Sequence, residues 1–468
     1  MSQKRYIDGK PYEVKDGCTM KLKIAAIKLL LRLMGFIKGN RYKYSQEYED
    51  NFKYMGLGEK LWWGYKALIK QVEKAEKDKG IEEYFRNQDL SFDPPVSFKI
   101  EHSMTLTAGG DLSCSEIIYP ESTVHLWDDI EDFYFPADIV CANLESPLDP
   151  ERPSSGVPEV CLTAPDLNTT PEMFERYFRG GNGINLFSTA NNHSLDMGEK
   201  GLVATLDYMD SMGCIHVGTS RTPEEQMDIP VIEKNGIKVA FVSYTYSLNR
   251  YDPIPGKGYM TNMLRLNKPD TDLSLIKEHV KAAHSKNADI IVAMLHWSVE
   301  FETYPIRNVI DMGHRILEEC GADIILGGHA HVAQPMEKYR FRDPFSGVEK
   351  DGFIIYSLGE FVSYNAFSRN SRLATILKLE ISKGSINGIT RTLITGLKVL
   401  PVYTWVRKFA NGRWDYRLVD FLKAVRNIEE GINSYGFNTG EIKELIRLKD
   451  LLYEKLLPAN CSGLLQEK

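Results

Sequence analysis

From Val96 to about residue 403, short apolar runs alternate with helix-like segments, and nearly every run ends in a residue able to bind a metal or carry a proton. The runs are MTLTAGG, ADIVCANL, INLFSTA, KVAFVSY, DIIVAML, DIILGG and FIIYSLG, with segments such as GLVATLDYMDSMG and VIDMGHRILEECG between them. This alternation predicts an α/β domain around a buried sheet. The first run leads into Gly109-Gly110-Asp111, and the next two into Asn143-Leu144-Glu145 and Asn191-Asn192-His193. Later runs end in His296-Trp297 and Gly328-His329-Ala330-His331. Open α/β sheets build their sites at the carboxyl ends of strands, so these residues are expected to converge.

Their chemistry fits one task. Carboxylates, an amide oxygen and imidazoles, with no thiolate among them, suit Mn, Fe or Zn. Two divalent metal ions side by side would activate a water for hydrolysis. Taken singly, each residue also has a structural reading. Asp111 could cap a helix, Glu145 could be a helix-entry acid, and Asn191-Asn192 could sit in a turn. The pair His329 and His331 resists such a reading, because alternate residues of an extended segment point the same way.

GGDLS, ANLESPL, ANNHSLDMG, LHWSVEF, GGHAHVAQPME and YSLGEF, in that order, resemble the signature of the CapA-type family. That family is named for poly-γ-glutamate capsule synthesis and is a branch of the calcineurin-like metallophosphoesterases. The resemblance covers roughly residues 102–379. It implies an αββα sandwich, with Asp111 a ligand of one metal and Glu145 a carboxylate bridging both. It also implies Asn192, His296 and His329 on the second metal, His331 on the first, and catalytic His193 as the adjacent acid or transition-state hydrogen-bond donor. Asp196 and Glu300 match acidic positions of the motifs, either orienting ligands or serving as caps and salt bridges. The sequence departs from the pattern at Ser113, where the superfamily usually has a histidine, at Ser298 in place of glycine, and at Glu360 in place of asparagine.

The reading divides the chain into a helical N-terminal extension (1–95), the CapA-like domain (96–403) and a helical C-terminal extension (404–468). Pro94-Pro95 marks the first boundary. A net charge of −7 gives no basic footprint for nucleic acid. Seven cysteines without a CxxC pair do not form a disulfide framework. The start of the chain has no secretory apolar core, which favours the cytoplasm, while the family name points to the envelope. Lys21–Lys38 is apolar but broken by Lys28 and Arg32, too short and too charged to span a bilayer. It fits a peripheral membrane contact, or a helix packed on the main domain or a partner chain. Residues 247–268 are expected to form a loop over the site, with Arg250, Lys257 and Arg265 able to meet an anionic substrate.

Two functions follow. One is a metal-dependent hydrolase acting on a phosphate ester, another anionic small molecule or a polyglutamate-like amide. The other is a non-catalytic subunit that binds polymer during capsule assembly.

Overall fold

The computed structural model describes two short strands near the start and then residues 18–47, 51–158, 164–365, 368–461 and 463–466. The short strands, β1 (Lys4–Ile7) and β2 (Lys10–Glu13), form an antiparallel hairpin. Helices α1 (Cys18–Lys38), α2 (Leu57–Leu68) and α3 (Ile81–Arg86) follow.

The domain then lays down β3 (Lys99–Leu112), β4 (Ile139–Leu144), β5 (Leu186–Ser188) and β6 (Ile215–Val217) as parallel neighbours. The chain next builds a second sheet from β7 (Val231–Lys234), β8 (Ile237–Thr245), β9 (Ile290–His296), β10 (Ile324–Gly328), β11 (Met336–Arg342) and β12 (Glu349–Ile355). It returns to the first sheet through β13 (Glu360–Val362), β14 (Leu373–Ile386), β15 (Ile389–Lys408) and β16 (Trp414–Asp420). The orders are β16-β15-β14-β3-β4-β5-β6, with β13 also on β3, and β11-β12-β10-β9-β8-β7.

Why the central strands read as unbroken apolar runs is visible in the packing. Leu106, Ala108, Cys141 and Leu186 of the first sheet meet Phe241, Val292, Leu326 and Ile355 of the second in one core. The alternate residues Val140, Ala142 and Phe187 face the helix Pro171–Phe178. Those of the second sheet, such as Val242, Ala293 and Ile325, face Val280, Val309 and Ile310 on flanking helices. Parallel strands covered on both faces have no polar side to show. Helices thus flank two facing sheets, the expected αββα arrangement, and all seven apolar runs contain strands.

The expected boundary at residue 403 is corrected. It falls inside β15, which runs to Lys408, and β16 extends the same sheet before the helices Phe421–Glu429 and Thr439–Leu451 begin. Pairing of β14 with distant β3 starts this edge, and hairpins turning at Asn387-Gly388 and around Asn411-Gly412 extend it, a turn signal that the boundary at residue 403 overlooks. The N-terminal region is also more than helical, since it holds the hairpin. Its helices are built into the domain, with Trp62, Trp63, Ile81 and Phe85 buried in the core over the second sheet.

One face of α1 is different. Leu29, Leu30, Leu33, Phe36 and Ile37 are exposed, while Leu31 on the opposite side is buried against α2. Among the described residues no helix is long and apolar enough to cross a membrane.

Candidate metal centre

Every sequence-predicted ligand stands at the carboxyl end of a parallel strand. Asp111 lies near the end of β3, Glu145 just past β4, and Asn192 and His193 beyond β5. His296 ends β9, and His329 and His331 follow β10. The two sheets face each other, so these ends open into one buried place. All six expected ligands converge there, and His193 lines the adjoining cavity.

Close backbone approach makes this possible. A side chain on Gly110 would meet the Gly359 carbonyl oxygen at 2.1 Å, and one on Gly328 would meet Asp111 Oδ1 at 2.7 Å. The glycine pairs before the ligands are therefore spaces that other backbone and side chains fill. The segment carrying His329 and His331 is not extended as expected. Both residues are left-handed, with φ of 83° and 56°. Strain of this kind in non-glycine residues gathers at functional sites.

The donors interlock. Asp111, Glu145 and His296 each offer an atom within 4.8 Å of the others, and so do Glu145, His329 and His331. Glu145 is common to both groups, as a bridging ligand would be. His296 Nε2 lies 3.0 Å from Asn192 Oδ1, 3.2 Å from His329 Nδ1 and 3.5 Å from Glu145 Oε1. Asn192 Nδ2 donates to Asn249 Oδ1, which turns the Asn192 oxygen toward His296. Asp111 accepts from Asn143 Nδ2 at 2.8 Å and from the His329 amide at 3.0 Å.

Buried Glu145 Oε1 and His329 Nε2 have no hydrogen-bond partner. Each such orphan costs about 1–3 kcal/mol. A cation accepts lone pairs from both, so the residues fit a metal. Nearby Cys114 does not add a thiolate, because burial pushes its thiol up to about 12 and it donates to the Ser155 carbonyl. The donor set stays oxygen and nitrogen.

Charge is sorted within the cluster. Burial and the Glu145 charge raise the Asp111 carboxyl. Burial would raise Glu145 too, but His296, His331 and His193 hold it down to about 2. Burial and the neighbouring imidazoles push His329 well below the usual range. His331 goes well above it despite burial, because Glu300 and Glu360 flank its ring at 3.5 and 3.0 Å. The Glu360 contact is close but out of line for a hydrogen bond. Backbone register explains its place, since Glu360 pairs with Asp111 across β13 and β3.

His193 is held at Nδ1 by Asp196 Oδ2 at 2.6 Å, and Asn249 Nδ2 lies 3.4 Å from its Nε2. Burial lowers the imidazole pKa, but the Asp196 charge outweighs it and the net shift is upward. Burial drives Asp196 itself up to about 6. Ser113 lines the cavity where the superfamily's histidine would be. Trp297 packs beneath, stacked on Tyr356 and donating to the Tyr356 carbonyl.

The loop cations are engaged elsewhere. Arg250 pairs with Asp166, Lys257 with Glu199 at 2.6 Å, and Arg265 lies over the Tyr54 ring. From that loop, Asn249 is what reaches the cavity. Sequence reasoning gave no role to Asn249 or Asn143, nor to Phe52, Trp63, Ala67 and Leu68, which line the cavity from the N-terminal region. Asn143 stood two residues before Glu145, one alternation along the strand. The others carried no local signal.

The chain is 26% identical over 326 residues to "Capsule biosynthesis protein CapA" of Bacillus anthracis, covering 64% of this chain and 72% of that one. It is 24% identical over 271 residues to "PGA biosynthesis protein CapA" of Bacillus subtilis (strain 168), covering 58% and 64%. Solved structures with partial similarity include a hypothetical protein from Thermus thermophilus (TM-score 0.35, 17% identity, 64% of this chain and 99% of that one). Another is the calcineurin-like phosphoesterase YfkN from Bacillus subtilis (TM-score 0.36, 13% identity, 74% and 99%). TM-scores this low leave the fold to rest on the strand order itself. The family model of the bacterial capsule synthesis protein PGA_cap matches residues 105–365, more than half of the chain and all of the centre just described, and the chain belongs to that family.

Proposed function

We propose that this chain is a metal-dependent hydrolase whose dinuclear centre acts on a phosphate ester or a polyglutamate-like amide. The observation that carries it is the convergence of Asp111, Glu145, Asn192, His296, His329 and His331, with buried orphan atoms on Glu145 and His329. Asp111, Glu145, Asn192, His296, His329 and His331 would hold the divalent ions, which would supply Lewis-acid polarisation of the scissile group and a water of lowered pKa. The protein's own part is orientation and proton handling. Asn143 and the His329 amide fix Asp111, and Asn249 fixes Asn192. His193 lines the cavity with Nδ1 anchored by Asp196, placed to hand a proton to the leaving group. The test is metal content per chain by elemental analysis, for the parent, Glu145→Ala and His329→Ala. About two ions, falling in both variants, is expected. No bound metal after incubation with Mn²⁺ or Zn²⁺ sinks the reading.

The assembly reading keeps one specific support. Residues 18–43 carry seven lysines and arginines and no acid, in a chain of net charge −7, beside the exposed apolar stripe of α1. That combination fits an anionic lipid surface. Flotation with anionic and with zwitterionic vesicles tests it. Binding confined to anionic vesicles and abolished by Leu33→Ser with Phe36→Asp supports it, and no binding to either removes it.

A further inference from the structure

The cavity in front of the centre has two unlike sides. One is the polar cluster with Glu145, Glu300 and Glu360. The other is carbon: Phe52, Trp63, Ala67 and Leu68 from the N-terminal region, continued by Phe301. The family match begins at residue 105, so the first four wall residues lie outside it.

This wall is fastened to the site. Trp63 Nε1 donates to Glu300 Oε2, and the other oxygen of Glu300 faces His331 Nε2 at 3.5 Å. One turn further along α2, Lys66 Nζ meets Glu302 Oε1 at 2.7 Å with both side chains fully buried. Helix α2 therefore sits in a fixed place relative to the ligands, and its apolar face toward the cavity is preorganised.

We propose that Phe52–Leu68 is the specificity wall of the site and accepts an uncharged aryl or alkyl group beside the scissile bond. The substrate class is a phosphate ester carrying such a group. This rests on the hydrolase reading above and chooses between its two bond types. An apolar group laid on the wall gains by leaving water. A polyglutamate chain brings a carboxylate on every residue, and each one laid on the wall would lose its hydration against carbon.

The experiment is calorimetry on the full chain loaded with Mn²⁺, with metal content measured in every sample. The probes are dimethyl phosphate and diphenyl phosphate, of equal charge but unequal apolar size, and a γ-linked triglutamate. Diphenyl phosphate is expected to bind at least about tenfold tighter than dimethyl phosphate. Leu68→Ala should narrow that gap several-fold and leave dimethyl phosphate unchanged. Ala67→Ser, which adds a hydroxyl with little volume, should narrow it as well and serves where truncating Leu68 unsettles the helix. With metal bound, equal affinity for the two diesters, or tighter binding of the triglutamate, overturns the wall and its substrate class while the hydrolase reading stands. Absence of bound metal in every sample overturns both.

Discussion

Lys66→Met removes the counter-charge of Glu302 and keeps a helix-favouring apolar stem. Both partners are fully buried, so no water is at hand to take the place of the ammonium group. Burial already pushes the Glu302 carboxyl upward, and Lys66 offsets that push. In the variant the carboxyl escapes by taking a proton. From an ordinary value near 4.3, holding it protonated at pH 7 costs about 3.7 kcal/mol, from roughly 2.7 pH units at about 1.4 kcal/mol each. That lies within the about 3–5 kcal/mol typical for breaking a buried pair from one side. The sign follows from the raised folded value. The variant's deficit is small below about pH 4.3 and grows as pH rises, reaching about 1 kcal/mol at pH 5 and the full cost at pH 7. Urea unfolding at pH 5 and pH 7, followed by tryptophan fluorescence, reads the first transition of the parent, Lys66→Met, Glu302→Gln and the double variant. The double variant should lose the pH dependence. A deficit that is the same at both pH values, or below about 1 kcal/mol at pH 7, would refute the reasoning.

His279 is fully buried, with Nδ1 2.8 Å from the Tyr244 hydroxyl, and burial pushes its imidazole down to about 4. Unfolding releases it to its ordinary value near 6.5, so about 3 kcal/mol of stability present above that pH is lost as pH falls through 4. His279→Phe should flatten the stability curve in that window when unfolding is measured from pH 4 to 7. Gly328→Ala drives a methyl against Asp111 Oδ1, which lies 2.7 Å from where Cβ would be. It should cost about 1–3 kcal/mol in stability and lower metal content measured by elemental analysis. Asn249→Ala frees Asn192 to turn its oxygen away, and titration with Mn²⁺ should show affinity falling by about 10–100-fold.

How much of this was legible depends on whether a feature is written locally. The convergence of the candidate ligands was, because metal chemistry would demand rare residue types at strand ends and the glycines ahead of them mark tight approach. Gly109-Gly110 and Gly327-Gly328 announce a site even though the left-handed backbone of His329 and His331 was not foreseen. The boundary near residue 403 was misread for a different reason. β14 takes its place from β3, more than two hundred residues earlier, while Asn387-Gly388 and Asn411-Gly412 mark the hairpins that carry the sheet past position 404 and were passed over in favour of the helical pattern beyond them.

The N-terminal region shows the limit most sharply. EKLWWGYKALIK says that a helix has an apolar face, but not what it covers. Its partners are Glu300 and Glu302, with Lys66 and Glu302 236 residues apart. Yet those contacts decide what the helix is for. A lysine is buried completely only where a fixed charge receives it. Here that charge sits two residues from Glu300, the carboxylate beside His331. A helix that merely decorated the domain could pack by carbon alone. One that spends a buried ion pair and an indole hydrogen bond on the same strand-end loop is registered to the site. The functional unit therefore begins well before residue 105, where the family match starts, and a domain cut at Val96 would expose the cavity's apolar side.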